Sequence, residues 1–244
     1  MKSLLLGSVS AIALACNVHA ADLPVKAPAP PPPAVVWSWA GPYIGIQGGI
    51  VWHRGKLIDS DDMLDISGPG TTYHATKAGG IVGGHAGYNL QSGSFVFGVE
   101  GDWSALWAKA STTNPRVLGS FANFDVNWLA TIRARFGITV TPATLLYVTG
   151  GVAFGDVRNH AGVTQVNTNM IVDKVRTGWT VGGGVEHMFA RNWTARAEVR
   201  YADLGKTTVA CTPPTNPDCT FSNGYRGEFS NTLLMGLVGV SLKF

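Results

Sequence analysis

The 244-residue chain is predicted to be all-β, an eight-stranded antiparallel transmembrane β-barrel. Three observations point there. Apolar residues recur at every second position over ten or more residues, and they do so repeatedly, which is the period of a strand with two different faces. Short turns alternate with long connections, the layout of a barrel with tight turns on one side of a membrane and loops on the other. Composition agrees: 31 glycines disfavour helices, and 14% charged residues is well below the roughly 25% of a soluble domain. With a net charge of +3 and scattered basic residues, the chain also lacks the basic cluster of a nucleic-acid binder.

Residues 1–20 read as a secretory signal peptide. Lys2 precedes an apolar run from Leu4 to Ala15, and Val18-His19-Ala20 offers small residues at a cleavage site, in a run too short to span a bilayer. Cys16 raises a competing lipoprotein reading, for which Ala13 stands where a Leu is usual. Residues 21–36, with Pro24, Pro28 and the run Pro30 to Pro33, read as an extended periplasmic spacer. The barrel is assigned to 37–244.

Strands are expected at about 39–52, 77–90, 94–107, 126–138, 144–156, 175–189, 192–204 and 230–244. The alternation is clearest in the third, fourth and seventh. Phe95, Phe97, Val99, Trp103 and Trp107 share one face of the third, and Val126, Trp128, Ile132, Phe136 and Ile138 one face of the fourth. Trp193, Ala195, Ala197, Val199 and Tyr201 share one face of the seventh. Residues 136–155 carry no charge and resemble a membrane helix, but Pro142 at their centre makes them a hairpin. Turns fall at 91–93, 139–143 and 190–191, and loops at 53–76, 108–125, 157–174 and 205–229. Aromatic girdles are expected where strands meet the interface, with Trp37, Trp39, Tyr43, Tyr88, Phe95, Phe136, Phe189, Trp193 and Phe244 at the turn end. Cys211 and Cys219, the even pair left after export, read as a disulfide in the last loop.

Several stretches resemble the small porin-like outer-membrane β-barrel family of α-proteobacteria, relatives of the opacity and OmpA-type eight-stranded barrels. They are Ala21-Asp22-Leu23-Pro24-Val25-Lys26, Trp39-Ala40-Gly41-Pro42-Tyr43-Ile44-Gly45, Gly87-Tyr88-Asn89-Leu90-Gln91, Phe97-Gly98-Val99-Glu100-Gly101-Asp102 and the terminal Val240-Ser241-Leu242-Lys243-Phe244. The resemblance implies an abundant surface protein that supports envelope integrity, with weak porin, adhesin or haem-binding activity in some members. It also implies that Val240, Leu242 and Phe244 form the signal read by the barrel-assembly machinery, and that lipid and lipopolysaccharide surround the chain.

The candidate site is the polar interior. Glu100, Asp102, Arg133, Arg135, Glu186, Arg196, Glu198 and Arg200 all fall on the inward parity of their strands. Charges inside so narrow a barrel must pair, either as a fixed plug or as a gate for small solutes. No catalytic role or cofactor is expected, since no nucleophile motif or phosphate loop appears. His53, His74 and His160, expected in or beside loops, could touch haem, and the four long loops could meet a host surface. Asp59, Asp61, Asp62 and Asp65 form an acidic cluster that could collect Ca²⁺ or simply be solvated, and solvation is favoured because the glycine of an EF-hand loop is lacking.

Overall fold

A computed structural model of the chain describes residues 37–60, 71–113, 119–164, 168–211 and 225–244. The signal and spacer segments, Asp61, Asp62, Asp65, Cys219 and the Cys211 side chain lie outside them. The eight strands are β1 (Gly41–Asp59), β2 (Thr71–Ser92), β3 (Phe95–Thr112), β4 (Ser120–Thr141), β5 (Thr144–Val163), β6 (Thr168–Ala190), β7 (Trp193–Cys211) and β8 (Tyr225–Lys243). Each pairs antiparallel with the next, and β8 pairs with β1 to close the barrel.

All three turns at one end are two residues long: Ser92 pairs with Phe95, Thr141 with Thr144 and Ala190 with Trp193. Gly93 sits in the first with φ 58°, a backbone state that a side chain disfavours. At that end Ile44, Ile46, Phe97, Val99, Trp103, Ile132, Val199 and Val238 face outward and are exposed, as a lipid-facing surface requires.

The strands are longer than their alternation alone indicated, and the connections correspondingly shorter. Strands of 18 to 23 residues, at about 3.3 Å per residue and about 40° of tilt, rise about 45–58 Å, roughly twice the ~25 Å apolar band of an outer-membrane barrel. The upper ends of all eight strands therefore occupy stretches expected to be loops. There the pattern reverses: Arg54, Lys109 and Arg158 point outward, whereas Leu57, Phe124, Met170 and Phe229 are buried inside. Val126 is corrected by the same change. It is 2% exposed and faces inward, because register shifts at Ala105/Ala108 and Val126/Leu129 move it off the outward parity of Ile132 and Phe136.

Two ladders stop early. The β2–β3 pairing ends at Gly80–Trp107 and the β6–β7 pairing at Trp179–Asp203, although all four strands continue upward. Above these points β7-β8-β1-β2 and β3-β4-β5-β6 form two four-stranded sheets packed face to face. Gly55 of β1 lies so close to the Phe124 ring of β4 that a Cβ there would overlap it.

Candidate functional site

The lumen is crossed by layers of side chains, and each layer follows from strand parity. At the turn end Trp39, Val96, Leu145, Tyr147 and Met188 form an apolar stopper. Trp39 is fully buried, its amide donating to Gln91 Oε1 at 2.7 Å and its indole N–H to the Pro142 carbonyl at 3.2 Å. Lys243 Nζ donates to the Trp39 carbonyl at 2.6 Å, tying the last strand to the entering chain. Trp39 and Tyr43 are thus interior residues, a correction to their expected place in the aromatic girdle. Tyr88, Phe95, Phe136, Phe189, Trp193 and Phe244 are exposed on the outside.

Above the stopper the structure brings together all eight charged residues singled out above. Each is buried. Glu100 of β3 accepts from Arg133 of β4, from Arg196 Nη1 of β7 at 2.7 Å and from the Tyr43 hydroxyl of β1 at 2.8 Å. Asp102 accepts from Arg200 Nη1 at 2.9 Å and from the Thr131 hydroxyl. Glu198 accepts from Arg133 Nη1 at 2.7 Å, Arg200 Nε at 2.8 Å and the Tyr147 hydroxyl at 2.9 Å. Glu186 of β6 accepts from Arg135 and from the Thr194 hydroxyl at 2.6 Å. The Arg135 guanidinium also stacks 3.9 Å from the Tyr147 ring centroid. Four guanidinium groups meet four carboxylates, so the layer is formally neutral.

Parity indicated Tyr43, Gln47, Tyr147, Thr131, Thr149 and Thr194 too, but neutral side chains did not stand out among charged ones. Gln47 accepts from Arg196 and donates to Ser104 Oγ at 3.2 Å, while Thr149 accepts from Arg133 at 2.8 Å. They supply bonds that the carboxylates alone leave open.

A second apolar layer lies above the charges, with Val51, Leu106, Val126, Leu129, Val157, Leu204, Leu233 and Met235 among its members. Next comes a thin polar band, where His53 Nε2 lies 2.8 Å from Asn231 Oδ1 and Asn231 Nδ2 donates to Asn159 Oδ1 at 3.3 Å. The uppermost layer is apolar again, built on Leu57, Phe124, Met170 and Phe229.

This placement corrects the loop assignment of the histidines and of Asp59. His53 is fully buried inside β1, His74 is an exposed residue of β2, and His160 is half-buried on β5 with its ring edge-on to Phe121 at 4.9 Å. They do not form one surface set. Asp59 is a buried inward residue of β1 rather than part of a solvated cluster. Among the described residues, no group of three or more His, Cys, Asp or Glu is placed to hold a metal ion.

The family model for the outer membrane protein beta-barrel domain matches residues 8–239. The chain is similar to the 31 kDa outer-membrane immunogenic protein of Brucella melitensis, at 38% identity over 220 residues covering 86% of this chain and 90% of that protein. It is also similar to the 22 kDa outer membrane protein of Rhizobium leguminosarum, at 34% identity over 166 residues, 68% of this chain and 64% of that protein. Among solved structures the outer membrane protease OmpT from Escherichia coli matches with a TM-score of 0.51 and 8% identity, covering 84% of this chain and 97% of that one. That last likeness is one of fold alone.

Proposed function

The chain belongs to the outer membrane protein beta-barrel family and resides in the cell outer membrane, and on that premise we propose that it is a structural barrel supporting envelope integrity, neither a diffusion channel nor an enzyme. One observation carries this reading: among the described residues the lumen is filled by three apolar layers, with one salt-bridged layer and one hydrogen-bonded polar band between them. A porin of this width would need a continuous polar path, yet the charged layer is capped on both sides by buried hydrocarbon. Moving any one charge out of the network strands its partner in low dielectric at several kcal/mol, which favours a fixed plug over a gate.

Within this reading, residues 1–20 direct export and are removed, residues 21–36 are a Pro-rich periplasmic linker, and a Cys211–Cys219 disulfide closes the last loop. Val240 and Leu242 near the end of β8, with Phe244 just beyond it at the same parity, serve as the contact for the assembly machinery. Lipid and lipopolysaccharide surround the barrel, and the loops at its raised end are the places where a host surface or haem would meet it.

Planar-bilayer recording of the refolded chain tests the proposal. No steady conductance above the lipid baseline is expected; reproducible channels of porin size would overturn it.

A further inference from the structure

The two places where the barrel ladders stop are not alike. At the β6–β7 seam side chains cross the gap: Arg176 Nη2 donates to the Lys206 carbonyl at 3.4 Å, and the Leu204 side chain packs inward on Gly155. At the β2–β3 seam the strands part above Gly80–Trp107, and His53 Nδ1 reaches from inside to within 3.3 Å of the Ala108 carbonyl. A cleft of about 480 Å³ opens there, lined by Lys77, Ala78, Leu106, Trp107, Lys109 and Val126. Ala78 and Trp107 belong to the outer surface, whereas Leu106 and Val126 are buried members of the interior apolar layer. The cleft therefore enters the wall instead of merely denting it.

Its chemistry is amphiphilic. Lys77 and Lys109 are exposed cations with no carboxylate partner among the described residues. Asp125 faces Lys109 in the β3–β4 register without forming an ion pair, and the Asn127 amide at the rim is committed to Asp156 at 2.8 Å. Two ammonium groups match a phosphate, which carries about −1.5 to −2 charges. Trp107 and Trp52, 63% and 43% exposed, mark this height as the upper aromatic belt, where lipid head groups meet the barrel. Below the cations the lining is hydrocarbon.

We propose that the β2–β3 cleft binds a phosphorylated acyl lipid of the outer leaflet, with the phosphate held by Lys77 and Lys109 and one acyl chain passing Trp107 to lie against Leu106 and Val126. The inference rests on the barrel lying in the outer membrane. It assigns to the wall of a filled barrel a ligand that the lumen has no room for.

The test refolds the full chain into phosphatidylcholine vesicles doped with phosphatidic acid carrying brominated acyl chains. The signal is the tryptophan quenching lost when Trp107 is replaced by Phe. The pair Lys77→Gln/Lys109→Gln is expected to weaken binding roughly 30-fold, from about 1 kcal/mol per lysine. The charge-matched pair Lys174→Gln/Lys206→Gln leaves binding unchanged, and Ala78→Leu, which obstructs the cleft with the lysines intact, reduces the quenching. Equal binding by the Lys77/Lys109 pair and wild type would overturn the proposal. So would equal quenching by brominated diacylglycerol, which lacks the phosphate, or displacement by inorganic phosphate alone. Heat-modifiable gel migration is read on every sample. Its absence in wild type counts against the membrane-barrel reading itself, whereas folded barrels that fail to bind refute the cleft alone.

Discussion

Arg135 and Glu186 offer the cleanest perturbation of the charged layer, because Glu186 has one ionic partner and one hydroxyl. Replacing Arg135 by Met leaves a buried carboxylate whose remaining hydrogen bond is from the Thr194 hydroxyl. Breaking a buried pair in this way costs about 3–5 kcal/mol. Replacing Glu186 by Gln is milder, since Arg135 keeps the Tyr147 ring at 3.9 Å and the Glu100 carboxylate at 3.9 Å. A loss of about 2–3 kcal/mol is expected once that cation–π contact is credited with roughly 1–2. The double variant Arg135→Met/Glu186→Gln removes both charges and loses only hydrogen bonds and the ring contact, about 1–2 kcal/mol. The two changes should thus be far from additive, with a coupling of about 3 kcal/mol or more. Equilibrium urea unfolding of vesicle-inserted protein, followed by tryptophan fluorescence and by heat-modifiable migration, measures all four corners of the cycle. A coupling below about 0.5 kcal/mol would mean that the two residues do not sense each other's charge, and the description of the layer as a closed ionic network would be wrong.

Three further outcomes are expected. Trp39→Ala removes the fully buried indole of the stopper and its hydrogen bond to the Pro142 carbonyl, and should cost about 3–5 kcal/mol by the same unfolding assay. Gly79→Ala and Gly80→Ala should differ sharply: a Cβ at Gly79 overlaps the Trp107 carbonyl oxygen, whereas one at Gly80 meets only the Trp107 ring at 3.7 Å. The first should destabilise by more than about 2 kcal/mol and the second by less than about 1, as read from paired urea midpoints. Deleting Phe244, which is 70% exposed and donates its amide to the Pro42 carbonyl at 3.1 Å, should lower the amount of chain assembled in the outer membrane, as measured by surface labelling; unchanged labelling would remove Phe244 from the assembly signal.

The number of strands, their antiparallel order and the turn end were legible because lipid enforces one simple rule there, apolar outward at every second residue. Phe97, Val99, Trp103 and Ile132 obey it and are exposed. The rule fails above the belt, where water takes the place of lipid. Arg54, Lys56 and His74 looked like loop residues because they are polar, yet they are the outward positions of β1 and β2, directly behind inward residues such as Leu57 and Ala75. The charged residues of the lumen were recognisable by parity, since only a paired role explains an arginine beside an acid on an inner face. Two features had no comparable signal. The stopper was hidden because Trp39 has the composition of a girdle residue and is redirected only by Gln91, Pro142 and Lys243, which are distant in sequence. The seams were hidden because a missing ladder depends on two strands at once, and no single stretch records it.

The reversal of sides along each strand also fixes how deeply the molecule floats. Sinking it would carry Arg54, Lys77 and Lys109 into hydrocarbon, where each basic side chain costs up to about 2–4 kcal/mol at the midplane. Lifting it would strand Trp103, Ile132 and Val199 in water. The strands are thus inscribed with their own waterline, which holds the raised sheets at a constant height above the bilayer whatever residues the loops come to carry.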